Sequence, residues 1–393
     1  MEESYKLVLD NSRGLPGGFY TSDEIFTAEL VHFMSKNWAC AGLARDVSET
    51  GDISPVTLAG QPLVMTCAED GNIRTFHNVC RHRGTVLSRE AKHNQARIVC
   101  PNHAWTYALD GALLATPHAG GAGRHHCEST DGENLDLVEI PTAVWGPFVM
   151  VNLNGGAGRP EDAMGPIEDR LGNPDLGLLR TGPDYDVTLD VDANWKLAVE
   201  NFVESYHVPM VHPELQRVNP MEDHYQILGG DHYIGLGGRA DGVAGSFDPP
   251  LPVFPHCVNM DKYEALYIAP NLMVTCLPNL FKVIILHPLG PGRTRERLVV
   301  FFIGDEAMRE DLSDARATVM RDWSLNVNDQ DIGIIEKMQK GRSSTAFDGG
   351  RFMPKQEATT LHFQKMLAKR MLKALEPSYQ PPADLPVANI YHD

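Results

Sequence analysis

The sequence predicts an α+β protein: an N-terminal all-β domain followed by a larger domain in which helices flank an antiparallel sheet. Between about 43 and 155, short β-type runs alternate with turn pairs, and Asp70-Gly71 and Asp110-Gly111 are strong hairpin signals. Further along, three β-type runs (LMVTCL, KVIILHPL and ERLVVFFI) precede a block of helix-type segments. Strands in one block followed by helices in another favour an antiparallel sheet with helices on one face.

The first predicted element is a helix near the N-terminus. Its pattern runs from about Ser22, a good N-cap residue, to Trp38, and Glu24 lies in the first turn. We expect this N-terminal segment to pack with the C-terminal domain. In that later domain, the predicted helices lie at about 195–206, 307–323, 329–340 and 357–375.

Three regions are expected along the chain. The N-terminal helical segment covers 1–42, the all-β domain 43–155 and the C-terminal domain 156–393. The boundary between the last two is placed at the stretch NGGAGRP, because Gly, Asn and Pro mark loops and linkers.

Composition excludes several classes of protein. The formal net charge of −18 repels a phosphate backbone, so we expect no nucleic-acid partner. The longest apolar runs, such as LVVFFI, are far shorter than the roughly 20 residues of a spanning helix, so we expect no membrane segment. Seven scattered cysteines and an N-terminus without an apolar signal region favour a reducing cytoplasm over a disulfide framework. Any cysteine with a functional role in this chain is expected to bind a metal.

The first motif combines two thiols and two imidazoles. Cys80 and His82 are separated by one residue, Cys100 and His103 by two, and seventeen residues lie between the pairs. This is the ligand set of a Rieske [2Fe–2S] centre, in which two His replace two Cys on one iron. The competing interpretation is a structural Cys2His2 zinc site, but zinc sites usually pair like with like. Trp105 nearby either covers one face of the cluster or is an ordinary core residue.

The second motif is NWKLAVENFVESYHVPMVHPE at 194–214. Glu204 and His207 are three residues apart, so a helix would place them on one face. Pro209 disfavours α conformation at the residue before it, so His212 is expected from a loop beyond the helix. Two His and one carboxylate form the facial triad of O2-activating Fe(II) enzymes.

The carboxylate of that triad is predicted in the helix around 329–340. Asp331 shares a helix face with three apolar residues, whereas the companions of Asp329 are not uniformly apolar. A bare carboxylate facing the core is costly unless it is paired or bound to a metal. We therefore choose Asp331 as the third ligand and expect Asp329 at the surface.

Together, the two motifs resemble the oxygenase α subunit of Rieske non-haem iron oxygenases, and the resemblance extends over essentially the whole chain. It implies a [2Fe–2S] cluster and a mononuclear Fe(II). The cluster ligands would be Cys80, His82, Cys100 and His103, and the iron ligands His207, His212 and Asp331.

The resemblance also implies roles for two residues that do not bind metal. Glu204 would be the electron relay between His103 of one protomer and His207 of the next. Asn201 would contact the iron ligands without binding the iron itself. Most ring-hydroxylating members carry Asp at the relay position. Glu204 instead resembles the branch that acts on choline, carnitine, glycine betaine and stachydrine.

The expected activity follows from that family. Electrons would come from NAD(P)H through a separate flavin/ferredoxin-type reductase, because the chain has no G-x-G-x-x-G motif between a strand and a helix. With O2 as co-substrate, a C–H bond of a small molecule would be hydroxylated. On an N-methyl group, the product would break down to formaldehyde and a demethylated amine. A head-to-tail homotrimer would bring one subunit's cluster beside the next subunit's iron.

The sequence is also compatible with two other functions. One is oxygenation of an aromatic or heteroaromatic carboxylic acid, which a His or Arg near the iron would favour; the candidates are His224, His232 and Arg239. The other is an electron carrier with the cluster alone, which would hold two irons per chain instead of three. A quaternary ammonium substrate predicts an aromatic box, with candidates Tyr225, Tyr233, Phe247, Phe254, Tyr263, Tyr267 and Phe281.

Overall fold

The structure, a computed structural model, describes residues 2–10, 13–240, 249–255 and 261–375. These residues form two compact units. The smaller unit is residues 38–157, and the larger unit contains the described residues before and after it. The predicted α+β fold class, with an all-β domain first, is confirmed.

The smaller unit consists of ten short strands in three antiparallel sheets. The sheet orders are β1-β10-β9, β2-β3-β4-β8 and β5-β6-β7. The strands are β1 (Ala39–Leu43), β2 (Ile53–Leu58), β3 (Gln61–Cys67), β4 (Ile73–His77), β5 (Ile98–Val99), β6 (Thr106–Tyr107), β7 (Leu113–Ala115), β8 (Glu139–Ile140), β9 (Thr142–Trp145) and β10 (Phe148–Val151). Residues 38–42, expected in the N-terminal segment, fall in this unit because β1 pairs with β10.

Both Asp-Gly pairs form the turns that the sequence predicts. Asp70-Gly71 lies between β3 and β4, and Asp110-Gly111 lies between β6 and β7. Gly111 has φ +90°, and a Cβ there would lie only 2.5 Å from a ring carbon of Phe76. Phe76 belongs to the buried core of the unit, so glycine is required both for the turn and for packing.

The larger unit is built on one antiparallel sheet of eight strands, with the order β11-β18-β17-β16-β15-β14-β13 and β12 also paired with β18. The strands are β11 (Leu179–Arg180), β12 (Asp186–Val191), β13 (Tyr225–Gly229), β14 (Tyr233–Arg239), β15 (Lys262–Ile268), β16 (Leu272–Leu277), β17 (Leu280–Gly290) and β18 (Arg293–Ile303). The helices are α1 (Glu2–Asp10), α2 (Asp23–Glu29), α3 (Pro160–Leu171), α4 (Trp195–Phe202), α5 (Val208–Val211), α6 (Pro213–Val218), α7 (Ser313–Thr318), α8 (Asn326–Arg342) and α9 (Ala358–Leu375).

Two helical regions differ from the prediction. Ser22 caps α2 by accepting the N–H of Ile25 at 3.3 Å, but α2 gives way to a π-helical turn at Leu30–Met34 and does not reach Trp38. The segments predicted at 307–323 and 329–340 are joined, because a π-helix at Val319–Leu325 connects α7 to α8. No proline interrupts this stretch, and π-helical turns are frequent at functional sites.

A buried polar network fixes α4, the helix that begins the second motif. The Glu29 carboxylate accepts hydrogen bonds from Lys196 Nζ at 2.7 Å and from Trp195 Nε1 at 3.1 Å, and neither member of the ion pair is exposed. One turn further on, Glu200 accepts from Tyr20 Oη at 2.6 Å. The N-terminal segment is therefore tied to α4 by charged hydrogen bonds in the interior, which hold the helix in one position.

Among the described residues, no helix combines the length and the apolar composition that spanning a bilayer requires.

Candidate functional site

Two loops of the smaller unit carry the Cys/His motif, and they share one hydrogen-bond pattern. In each, the cysteine N–H donates to the carbonyl five residues on, and the cysteine carbonyl accepts from the N–H four residues on, at 2.8–3.1 Å. The fourth residue after each cysteine has a positive φ, +75° at Gly84 and +55° at Ala104. Cys80 and Cys100 are thus held by equivalent backbone frames, although their histidines stand at different spacings.

The thiol and imidazole side chains of the motif differ in burial. Cys80 and Cys100 are 2% and 3% exposed, whereas His82 and His103 are exposed at the surface. The two imidazole rings lie 4.8 Å apart, and Trp105 stacks on His82 at 4.9 Å. Trp105 thus covers an imidazole and is itself a core residue. Two free thiols on the inside and two imidazoles on the outside fit the donor set of a Rieske cluster.

Tyr107 is also part of this site, although nothing in the sequence pattern indicated it. Its hydroxyl lies 3.4 Å from Cys80 Sγ and accepts the backbone N–H of Arg81 at 3.0 Å. The side chain is fully buried in the same core cluster as the two cysteines. The run WTYAL predicted only a β-strand. The contact with Cys80 forms because the fold places β6, which carries Tyr107, next to the loop of Cys80.

In the larger unit, His207, His212 and Asp331 meet, with one ligand atom of each within 4.8 Å of the others. His212 Nε2 lies 2.8 Å and His207 Nε2 3.4 Å from Asp331 Oδ1. The two imidazole planes are 78° apart, so the rings converge from different directions. Asp329, two residues earlier on α8, is exposed. Two imidazoles and one carboxylate with an open side are the donor set of a facial Fe(II) site.

The local structure around His207 corrects two expectations. The helix predicted to reach about 206 ends at Phe202, so Glu204 and His207 do not share a helix face. Glu204 instead accepts the N–H groups of Tyr206 and His207 and lies 2.5 Å from His207 Nδ1. Pro209 does not exclude α conformation before it, because it lies in the first turn of α5, where its missing N–H is not needed.

His212 occupies the break between α5 and α6, with φ −121° and ψ 64°. It therefore comes from non-helical backbone, at the junction of two short helices. The prediction placed the residue correctly outside helix α4. The bend at His212 turns its imidazole towards α8 and Asp331.

Each of the three candidate metal ligands is oriented by a neighbour. His207 Nδ1 donates to Glu204, and His212 Nδ1 donates to Gln330 Oε1 at 2.6 Å. Asn201 Nδ2 donates to Asp331 Oδ1 at 2.7 Å. Bonding at Nδ1 leaves Nε2 of each ring for a metal, which is how such neighbours usually fix a ligand. Gln330 was missed, because nothing in the sequence distinguishes it from a surface residue of α8.

The electrostatics suit a bound cation. Burial lowers the pKa of His207, but hydrogen bonds to Asp331 and Glu204 outweigh burial and raise it to about 10. Burial raises the pKa of Asp331, yet hydrogen bonds to His207 and His212 hold it well below its usual range. The neighbouring carboxylates thus stabilise positive charge on the His207 ring, and a divalent cation that binds here displaces that proton.

A cavity of about 140 Å3 opens beside the triad, and its wall is mainly apolar. Trp323 and Tyr263 contribute aromatic rings, and the π-helix between α7 and α8 supplies Trp323. Of the seven aromatic candidates, Tyr263 alone is among the described lining residues, and Phe247 lies outside the described residues. His224 lines the cavity, whereas His232 and Arg239 are not among its described lining residues.

Comparisons with protein families identify the class. Residues 37–128 match the Rieske [2Fe-2S] domain, and residues 178–373 match the catalytic domain of the ring hydroxylating alpha subunit. The two matches together cover well over half of the chain and coincide with the two sites described above. The chain belongs to the Rieske oxygenase α subunits, which are oxidoreductases.

Individual relatives lie within the same family. The chain is 26% identical over 371 residues to the carnitine monooxygenase oxygenase subunit of Acinetobacter baumannii, covering 90% of this chain and 94% of the relative. It is 24% identical over 358 residues to the chloroplastic choline monooxygenase of Amaranthus tricolor, covering 88% and 75%. A solved quaternary ammonium Rieske monooxygenase in complex with L-carnitine shares the fold, with a TM-score of 0.75 at 22% identity over 94% of this chain and 99% of that chain.

Proposed function

We propose that the chain is the terminal oxygenase of a Rieske monooxygenase that hydroxylates an N-methyl group of a quaternary ammonium or betaine-type substrate. The observation that carries the proposal is the facial triad of His207, His212 and Asp331 at the wall of a largely apolar cavity. The names of the carnitine and choline relatives support the substrate class.

The side chains of the two sites have distinct tasks in this proposal. When bound, the [2Fe–2S] cluster supplies one-electron transfer and the Fe(II) supplies O2 activation. Cys80, His82, Cys100 and His103 would hold the first, and the triad would hold the second. The apolar cavity wall excludes water and holds an N-methyl group beside the triad, while Trp323 and Tyr263 offer aromatic faces to the cationic nitrogen. The hydroxymethyl amine formed from the substrate then releases formaldehyde and leaves a demethylated amine.

Electron delivery is the second part of the proposal. His103 is exposed, so electrons have a short route out of the smaller unit at this residue. Glu204 contacts His207 directly, which suits a relay from His103 of a neighbouring protomer. We therefore include a head-to-tail homotrimer in the proposal, together with a flavin/ferredoxin-type reductase fed by NAD(P)H. The six cysteines that the structure describes are free, which supports a cytoplasmic location.

Reconstitution with a reductase tests this function. The purified chain, NADH or NADPH and a reductase are mixed with carnitine, glycine betaine or choline, and O2 uptake and formaldehyde are measured together. Formaldehyde formed in step with O2 from at least one of these compounds is expected. O2 uptake with an aromatic acid, and none with any quaternary amine, would overturn the proposal. Light scattering of the same preparation tests the trimer, and a monomer under assay conditions contradicts it.

The alternative substrate class, an aromatic or heteroaromatic carboxylic acid, is favoured by one observation. His224 lines the cavity, and its Nδ1 is buried without a hydrogen-bond partner among the described residues. An acid could accept a hydrogen bond from this ring. The panel above separates the two classes, because an aromatic acid yields a hydroxylated product without formaldehyde.

A further inference from the structure

Lys282 is a cationic residue in the wall of the substrate cavity. It lies on β17, and it is the only Lys or Arg among the described residues that line this cavity. The side chain of Lys282 is mostly buried. Among the described residues, none forms a hydrogen bond or an ion pair with its ammonium group. An ammonium group in an apolar wall is costly unless an anion compensates it.

Thr275 stands directly opposite Lys282 on the neighbouring strand. The two residues are paired in the register of β16 with β17, so their side chains leave the sheet on the same face about 5 Å apart. Thr275 also lines the cavity, and its hydroxyl has no hydrogen-bond partner among the described residues. Two adjacent donors without partners thus face the same space.

The surrounding charges do not satisfy the ammonium group. Burial lowers the pKa of Lys282, while Asp331 and Glu296 act in the opposite direction from a distance. Asp331 is engaged by both histidines and Asn201, and Glu296 accepts from Asn328 at 2.9 Å. Burial also raises the pKa of Glu296 to about 7, so that carboxyl is a weak source of negative charge near neutral pH. The described residues therefore supply no direct anionic partner for Lys282.

We infer that Lys282 and Thr275 form an anion subsite that binds the carboxylate of a zwitterionic quaternary ammonium substrate. The inference rests on the proposed function and narrows it. A carboxylate takes one charged and one neutral hydrogen bond from this pair. The same molecule then presents its N-methyl groups to the triad, which lines the same cavity. The subsite selects betaines over choline, because a hydroxyl group cannot neutralise Lys282 and a second cation beside it is repelled.

Direct binding to the anaerobic holoenzyme tests the subsite with four probes. Glycine betaine and its uncharged-head isostere 3,3-dimethylbutanoate carry the carboxylate, whereas choline and 3,3-dimethylbutan-1-ol lack it. Calorimetric Kd values are compared for wild type, Lys282→Met and Thr275→Val. Lys337→Met is the matched control, because Lys337 is exposed on α8 and has no partner in the described residues.

Loss of one charged hydrogen bond weakens binding by roughly 10- to 100-fold. We expect that loss for both carboxylates in Lys282→Met, a loss of roughly 3- to 10-fold in Thr275→Val, and no loss for choline. In turnover with the reductase, KM for glycine betaine rises while kcat changes little. Lys282→Gln replaces Lys282→Met if the latter lacks the cluster absorption spectrum.

The outcomes separate the subsite from the proposed function. If wild type releases formaldehyde from betaines and Lys282→Met binds both carboxylates with wild-type affinity, the subsite is refuted and the function stands. If no quaternary amine is turned over while 3,3-dimethylbutanoate binding still depends on Lys282, the anion subsite stands and the substrate class is wrong. Tighter binding of choline than of glycine betaine by wild type also overturns the subsite.

Discussion

Replacing Tyr107 by Phe should lower the reduction potential of the cluster. The Tyr107 hydroxyl is 3.4 Å from Cys80 Sγ, and burial together with Cys80 raises its pKa, so it keeps its proton. A reduced cluster carries more negative charge on sulfur than an oxidised one, so this donor stabilises the reduced state. Hydrogen bonds to cluster sulfurs are one of the factors that set such potentials.

The size of the shift follows from one hydrogen bond. A hydrogen bond to a charged acceptor contributes about 1.5–3 kcal/mol. If about half of this differs between the two oxidation states, the one-electron potential falls by roughly 30–65 mV, at 59 mV for each tenfold change. The fall is measured by a redox titration followed through the visible absorption of the cluster.

A neighbouring substitution provides the control. Thr106 precedes Tyr107, and its hydroxyl donates to Ala104 within the second cluster loop without an interaction at sulfur. Thr106→Val disturbs the same loop, and we expect its potential to stay at the wild-type value. A potential of Tyr107→Phe that coincides with wild type, or a fall of equal size in both variants, would refute the role of the hydroxyl.

Three further predictions concern the metal sites and the buried ion pair. Asp331→Ala should lower the iron content from about three to about two per chain with the cluster spectrum intact; retention of all three irons contradicts its role as a ligand. Glu204→Gln should leave both metal centres occupied and abolish turnover, whereas full activity would remove the relay. Lys196→Met should reduce the free energy of unfolding by about 3–5 kcal/mol, because it leaves Glu29 buried and uncompensated. Adding Glu29→Gln should recover much of that loss in urea denaturation, and equal instability of the double variant would contradict this account.

Much of the fold and the donor sets could be read from the sequence, because both depend on local pattern. The Asp-Gly turns and the three long β-type runs each encode their structure within a few residues. The spacing of the Cys/His pairs was sufficient to predict a cluster motif. Apolar neighbours on the same helix face distinguished Asp331 from Asp329. The helix ends were less predictable, since the carboxylate of Glu204 starts a new turn where continuation of α4 was expected.

The residues that tune the sites could not be predicted, because they act across long separations in the chain. Gln330 meets His212 across 118 residues, and Tyr107 reaches Cys80 across 27. Lys282 and Thr275 are only seven residues apart, yet their alignment depends on the register of β16 with β17, and a shift of one residue would turn one of the two side chains to the other face of the sheet. The candidate metal ligands can thus be recognised from sequence spacing, whereas the anion subsite that we infer depends on sheet register. Comparison of Lys282→Met with Lys337→Met tests that conclusion directly, because the two substitutions are identical and differ only in where the fold places them.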